Sequence, residues 1–491
     1  MSKSNRVLIY TILIILISIP IFCRLTCQPF REYDEARVAT NVYEMSKNGN
    51  WLVTYFNGEP EMWNTKPPLL IWLQVVFSKL FGFGELAIRL PIAIAALLTC
   101  ILLFRMCAKY LKDEILGIIA ALVLVTTSGY IHVHVSRTGD YDGLLILFAV
   151  WAYFSFFLFL ETKQQKFLYH FFLALTLGVL TKSIVILLFL PAIAVYSLWQ
   201  KQFAIFFKNK HFYVGLFAFL LISIGYYNLR ELYNPGYIEA VQLNEWGGRY
   251  LKTLEEHKED FWFYYNKLQE RDFGFSFWYL IPCGLIVGIL AKDKKLFRFT
   301  VFLTLLILSF FLSISTASTK IYWYSAPLFP FLALLVAIFF RSIVTLLMNV
   351  DYKSYLNHNL FPVLFLFFIL ILPYQQVVHN SYESEEYGWD VDRYRMSYYL
   401  KANMNTSGTE NRLNNYKVLN DGWGWTNLNL YIKMLQDRGV NVSGKDFRQL
   451  TPGDIVITGD PQVKTYVGDH YNFKIIEDYK GIAKYEITGS K

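Results

Sequence analysis

The sequence predicts an all-α polytopic membrane protein of about eleven transmembrane helices, with surface helices in the first outer loop and a small α/β extracytoplasmic domain at its C-terminal end. Three observations predict it. Of 491 residues, 55% are hydrophobic and only 17% are charged, whereas an ordinary soluble domain carries about 25% charge. Apolar runs recur at close to the ~20 residues that a helix needs to cross a bilayer. From about residue 376 onward the runs stop, and short strand-like and helical patterns alternate instead. The aromatic content of 18% excludes a disordered chain. The net charge of +8 points to cytoplasmic loops rather than to nucleic acid.

The elements follow in chain order. Lys3 and Arg6 precede the first run, 7–23. This resembles the start of a signal peptide, but no small-x-small site follows, so an uncleaved first helix is expected. Further runs fall at 86–104, 114–130, 143–160, 167–180, 183–200, 212–229, 276–291, 299–315, 323–340 and 357–374. Lysine and arginine bias short loops toward the cytoplasm. The groups Lys3/Arg6, Arg105/Lys109/Lys112, Lys163/Lys166, Lys201/Lys208/Lys210, Lys292/Lys294/Lys295/Arg298 and Arg341/Lys353 occupy alternate loops. All are cytoplasmic if the N-terminus is inside. The intervening short loops hold one base each: Arg137, Lys182 and Lys320. The apolar segment 69–81 makes a helix of only about 20 Å. As a span it would flip every later loop, so it is expected on the outer surface or re-entrant. Trp63 and Trp72 suit that depth.

This arrangement leaves 24–85, 131–142, 230–275 and 376–491 outside, with a surface helix expected over 254–273. The domains are therefore 1–375 in the membrane and 376–491 as a soluble α/β unit. In the tail, strands are expected at 416–419, 454–458, 473–476 and 483–487, and helices at 391–403 and 427–438. The five cysteines form no CxxC pair, which argues against zinc and iron–sulfur binding. Two glycosylation sequons in the tail (Asn405, Asn441) would be idle in a bacterium.

The outer loops gather charged residues beside the membrane. Tyr33-Asp34-Glu35-Ala36-Arg37 places two acids at a helix start. They suit either an N-cap and first turn or a general base. Lys66 stands before Pro67-Pro68, as a snorkelling lysine or a cation facing phosphate. Asp140 and Asp142 flank Tyr141, where capping is again the plain reading. His132 and His134 lie two apart; on a helix they would point to nearly opposite sides, so joint chelation is not expected. Lys182 breaks an apolar stretch, where a buried lysine costs about 2.5–3.5 kcal/mol, so a cavity with an anionic partner is expected there. Arg249 and Lys320 are two further bases on the same side. Acids and isolated bases at one surface could hold an anionic headgroup and deprotonate a group beside it.

These residues resemble a family. Asp34-Glu35-Ala36-Arg37, Asn57-Gly58, Lys66-Pro67-Pro68 and Arg89-Leu90-Pro91 are similar, in order and spacing, to the GT-C glycosyltransferases. So are Arg137–Asp142, Thr181-Lys182, Glu245 with Arg249-Tyr250, and Ser318-Thr319-Lys320. The nearest types are the protein O-mannosyltransferases and the lipid A aminoarabinose transferases. The resemblance covers about 1–345. It implies an inverting enzyme on the periplasmic face of a bacterial inner membrane, with a polyprenyl (undecaprenyl) phosphate sugar as donor and a lipid, protein or glycan acceptor. Asp34 would be the base, Glu35, Asp140 and Asp142 would complete the acidic site, and Lys66, Lys182, Arg249 and Lys320 would face the donor phosphate. Many aminoarabinose-transferase-like members place Glu and His where this chain has Thr65 and Trp246. That argues against a metal, and no cofactor is expected. The rival class is a transporter or flippase of lipid-linked glycans. It would favour repeats and charges at mid-bilayer depth, and the sequence contains neither.

Overall fold

The computed structural model describes residues 3–251, 253, 257–349, 360–382, 388–420 and 425–491. It divides into two compact units: Met1–Leu25 with Met45–Tyr382, and Thr26–Glu44 with Glu383–Lys491.

The first unit is helical. Its helices are α1 (Lys3–Phe22), α3 (Leu69–Phe81), α4 (Glu85–Arg105), α5 (Glu114–Val125), α6 (Tyr141–Thr162), α7 (Gln165–Lys182), α8 (Leu190–Trp199) and α9 (Lys210–Tyr233); α2 (Asp34–Asn48) begins in the second unit. Four short helices follow, α10 (Tyr237–Val241), α11 (Gly248–Leu251), α12 (Phe263–Lys267) and α13 (Gly274–Trp278). Then come α14 (Leu280–Ile289), α15 (Lys294–Ser315), α16 (Phe329–Asn349) and α17 (Leu360–Tyr382). Among the described residues, 8 helical stretches are long and apolar enough to cross a membrane. Leu69–Phe81, Glu114–Val125 and Leu280–Ile289 are shorter. Every apolar run read from the sequence is helical over most of its described residues.

Local chemistry sets the ends of these helices. Asp113, Asp140, Asn209 and Asp293 accept from first-turn amides and cap α5, α6, α9 and α15. The stretch 165–199 reverses on itself at Lys182–Ser183. A Cβ built on Gly178 would lie 2.2 Å from Ile186 Cδ1, whereas eight residues of straight helix span about 12 Å. The two runs expected at 167–180 and 183–200 are therefore two segments separated by a reversal. The 3-10 segment Ser183–Phe189 joins them, and Ser183 is left-handed with φ 51°. Residue Gly284 lets α14 touch α16, since a Cβ there would meet the Leu335 carbonyl at 1.8 Å. The segment expected as a surface helix over 254–273 is helical only from Phe263 among its described residues.

The lysine-rich loops meet at one end of this unit. Arg6 pairs with Glu114 (3.4 Å), and Arg341 with Asp113 (2.6 Å). Glu161 takes both Arg298 (3.2 Å) and the Tyr110 hydroxyl (2.9 Å). Lys353 lies outside the described residues. At the other end, Arg137 donates to the Pro20, Ile21 and Cys23 carbonyls (3.2, 2.9 and 2.8 Å), satisfying the free carbonyls of α1. The short helix α3 lies at that end too, its Gln74 amide donating to Ile88 and Gly139 carbonyls.

The second unit holds a five-stranded sheet in the order β4-β3-β5-β7-β6, counting a hairpin of the first unit (Tyr55–Phe56, Glu59–Pro60) as β1 and β2. The strands are β3 (Lys417–Asn420), β4 (Ser443–Asp446), β5 (Ile455–Thr458), β6 (Tyr471–Tyr479) and β7 (Ile482–Ser490), with α18 (Gly388–Ala402), α19 (Thr426–Gln436) and α20 (Pro461–His470). β3 is parallel to β4 and β5, and β7 is antiparallel to β5 and β6. Leu419, Val456, Val467, Ala483 and Ile487 form its core. The segment 26–44 belongs to this unit. Glu32 accepts from the Thr426 and Asn427 amides (2.9 and 3.0 Å) and so caps α19 from 394 residues away in the chain. Phe30 N–H donates to the Tyr431 hydroxyl (3.0 Å), and Lys433 pairs with Glu44 (3.0 Å).

Candidate functional site

A cavity of about 830 Å³ opens in the first unit. Four charged residues line it: Lys66, Asp142, Lys182 and Glu245. Ile184, Val185, Leu188, Phe310 and Ile314 make an apolar wall, and Trp246, Tyr250 and Tyr324 add aromatic surface. One side is thus ionic and the other is fit for hydrocarbon.

Each charged group is placed by local structure. Lys66 precedes the two prolines that lead into α3, and its backbone neighbourhood is tied down. The Tyr237 hydroxyl donates to the Thr65 carbonyl (2.7 Å), and Glu61 accepts from the Trp63 and Asn64 amides (2.8 and 3.1 Å). The Asn64 amide donates to the Tyr141 hydroxyl (2.8 Å). Arg230 is 1% exposed and holds the β1–β2 hairpin through Leu52, Thr54 and Glu61. The Lys66 ammonium then sits 3.3 Å from Glu245 and 5.3 Å from the centre of the Tyr141 ring. Burial works against this ammonium. The Glu245 carboxylate, together with the Tyr141 and Tyr324 hydroxyls, more than offsets that and raises its pKa above the ordinary lysine value.

The turn at Lys182–Ser183 points the second lysine into the same cavity. Its ammonium is 2.7 and 2.6 Å from the two Asp142 oxygens and 5.1 Å from the Tyr324 ring centre. Both partners are almost fully buried, at 5% and 1% exposure. Behind them the Trp246 indole donates to Ser183 Oγ (3.2 Å), which meets the Tyr227 hydroxyl (2.8 Å).

Asp140, not Asp142, caps α6, accepting from the Tyr141 amide. Its other oxygen lies 2.7 Å from His134 Nδ1. Burial opposes the Asp140 charge, but the His134 hydrogen bond and the nearby Lys182 hold its pKa below the usual carboxylate value. His134 stacks on Trp323 at 3.7 Å. His132 goes elsewhere: its Nε2 accepts from Arg271 (2.8 Å), and its Nδ1 lies 3.1 Å from the Val133 carbonyl. Burial, then the Arg271 charge, pushes its pKa down to about 3. The two histidines occupy an irregular turn rather than a helix, and they have separate partners.

The structure thus brings Lys66, Asp142 and Lys182 into one cavity, with Asp140 two residues from Asp142. Lys320 stands beside a lining residue, Thr319, but its ammonium donates to the Ala317 and Glu259 carbonyls (2.7 and 3.1 Å). Arg249 is in α11, and its side chain lies outside the described residues. Asp34 and Glu35 are in the second unit, in the first turn of α2. Glu35 is buried and accepts from the Arg31 amide (2.8 Å). Sequence reasoning did not single out Tyr141, Tyr324, Asn64 or Arg230. Only the crowding of Asn64 and Tyr141 next to charged residues could have flagged them.

A family model described as dolichyl-phosphate-mannose-protein mannosyltransferase matches residues 65–227. An undecaprenyl phosphate-alpha-4-amino-4-deoxy-L-arabinose arabinosyl transferase of Proteus mirabilis is 25% identical over 342 residues, 65% of this chain and 56% of that protein. An equivalent transferase of Aeromonas salmonicida is 26% identical over 323 residues, 63% of this chain and 56% of its own. The chain therefore spans just over half the length of these relatives. Among solved structures, ArnT from Cupriavidus metallidurans bound to undecaprenyl phosphate superposes with TM-score 0.70 at 14% identity, covering 99% of this chain and 98% of that one. The archaeal oligosaccharyltransferase AglB from Archaeoglobus fulgidus gives 0.53 at 12% identity, over 90% and 65%.

Proposed function

We propose that this chain, whose fold is that of the GT-C glycosyltransferases, is an inverting transferase. It moves a sugar from a polyprenyl-phosphate donor to a hydroxyl or phosphate acceptor on a lipid, protein or glycan. The cavity carries this reading. A buried lysine, Lys182, and a half-buried one, Lys66, each beside a carboxylate, face an apolar wall, and a polyprenyl phosphate presents a phosphate and a hydrocarbon chain. The relatives that act on undecaprenyl-phosphate-linked aminoarabinose support it. Nothing among the comparisons supports a transporter.

In the proposed reaction, Asp34 accepts the proton of the acceptor hydroxyl as its oxygen attacks the anomeric carbon. The anomeric C–O bond to the donor phosphate breaks, and polyprenyl phosphate leaves with the electron pair. Lys66 and Lys182 neutralise the charge that develops there. Glu35 fixes the backbone of the Asp34 turn through the Arg31 amide. Lys320 acts through the carbonyls it holds beside Thr319, and Arg249 is a further phosphate candidate. No cofactor enters, and the residues at 65 and 246 are not metal-binding types. The active face is the one away from the lysine-rich loops, which is periplasmic in a bacterial inner membrane.

Radiolabelled polyprenyl-phosphate sugar and purified full-length protein test the proposal. Asp34→Asn is expected to lower transfer by about 10²–10⁴-fold with unchanged elution on gel filtration. Full transfer by Asp34→Asn would reject the base. Lys66→Ala is expected to weaken donor binding about tenfold or more, the worth of a charged hydrogen bond. Chelator treatment should leave the rate unchanged.

A further inference from the structure

The first unit has a second cavity, of about 770 Å³, at the end remote from Lys182. It is bounded by Lys163 at the end of α6, Gln165 at the start of α7, and Ile205, Lys208, Asn209 and Lys210 leading into α9. Twenty-one residues of α6 separate Asp142 from Lys163, about 32 Å along the helix, which matches the ~30 Å hydrocarbon core of a bilayer. The two cavities therefore open toward opposite membrane surfaces.

Three of the lining residues are lysines, and none is a carboxylate. Lys208 and Lys210 form no ion pair among the described residues. The Lys163 ammonium donates instead to the Leu160 carbonyl (2.7 Å) and to the Gln202 side chain. Partial burial lowers its pKa below the ordinary lysine value. The neighbouring acid, Glu161, is already engaged by Arg298 and Tyr110. The rim is pre-formed, because the Asn209 amide donates to Gln165 Oε1 (3.0 Å) and joins the approach to α9 to the start of α7. The positive end of the 24-residue helix α9 adds to the field. Exposed Phe203, Phe207, Tyr213 and Val214 lie next to it in the chain and offer apolar surface. Lys208 and Lys210 are exposed, and with Lys163 they surround a hollow beside an apolar collar.

We propose that this cavity binds the phosphodiester headgroup of an anionic phospholipid, with Lys163, Lys208 and Lys210 around the phosphate and the acyl chains on the aromatic collar. Basic pockets between membrane helices on the cytoplasmic side bind such headgroups elsewhere. The site is independent of the transferase reaction.

The test is native mass spectrometry of the full-length protein released from micelles containing phosphatidylglycerol, phosphatidylcholine, or 5–10 mM inorganic phosphate (roughly the range that tests a weak anion site). Each basic residue near an anionic headgroup is worth about fivefold in affinity, so Lys163→Gln/Lys208→Gln/Lys210→Gln is expected to lose about a hundredfold for phosphatidylglycerol. The control Lys292→Gln/Lys294→Gln, at the same end but outside the cavity, is expected to retain it. Equal retention by the triple variant, equal loss in the control, equal binding of phosphatidylcholine, or full competition by inorganic phosphate would each overturn the proposal. A triple variant that fails to fold shifts the test to the wild type, where phosphatidylglycerol must raise the melting temperature and phosphatidylcholine must not.

Discussion

Asp142 and Lys182 show how one residue pair joins folding to chemistry. Removing one partner of a buried pair leaves an uncompensated charge and costs about 3–5 kcal/mol, whereas replacing both with apolar groups is often neutral. Asp142→Asn is therefore expected to lower the thermal stability of the detergent-solubilised protein, and Asp142→Leu/Lys182→Met to restore it. The double variant should still fail to transfer sugar; a stable and active one would exclude the pair from the site. His132 makes a pH prediction. Its folded pKa of about 3 lies below the unfolded value of about 6.5, so the unfolded chain takes up the proton first. Stability from this group is complete above about pH 6.5 and falls as pH drops toward 3. Asp272, raised by burial to about 6, has the opposite sign, favouring the fold at low pH. Melting curves of wild type and His132→Gln between pH 7 and 5 isolate the histidine, and the variant should lose less stability on acidification. The lone lysine in an apolar run marked its cavity from sequence alone, because burial without a counter-charge is so costly. Tyr324 gave no such signal, since an aromatic near a membrane is ordinary, and Glu245 stood out only through the family resemblance, since an acid in a polar loop is ordinary.

At the scale of elements, periodicity and length identified every apolar helix, while ends and turns depended on particular contacts. The reversal at Ser183 left only one lysine as its trace. In the tail, the expected strands and helices correspond to β3, β5, β6, β7, α18 and α19. β4 was not foreseen because Ser443–Asp446 is polar, as suits the sheet edge it occupies. α20 was overlooked although Asp460 and Pro461 form a regular helix start. The link between Glu32 and α19 was beyond sequence reasoning, since no local pattern relates residues so far apart. Glu32→Gln should weaken that cap by about 1 kcal/mol. Limited proteolysis is the check: cleavage within 26–33 should quicken, and an unchanged rate would mean that the cap does not hold the segment.

For the whole molecule, orientation is the decisive quantity. Cys27 is exposed in the second unit, and Lys210 is exposed at the lysine-rich end. With Cys23 and Cys283 replaced, a membrane-impermeant maleimide should label Cys27 in intact spheroplasts, and Lys210→Cys only after permeabilisation. The reverse pattern would place the cavity of Lys66 and Lys182 on the cytosolic side. The cap that Glu32 supplies to α19 also carries a cost in time. A ribosome adding about 5–20 residues per second needs roughly 20–80 s to traverse the 394 positions between them. Through that interval the newly made stretch before α2 waits without its docking partners, open to proteases and holding chaperones. The loop made first is thus among the last parts of the protein to mature.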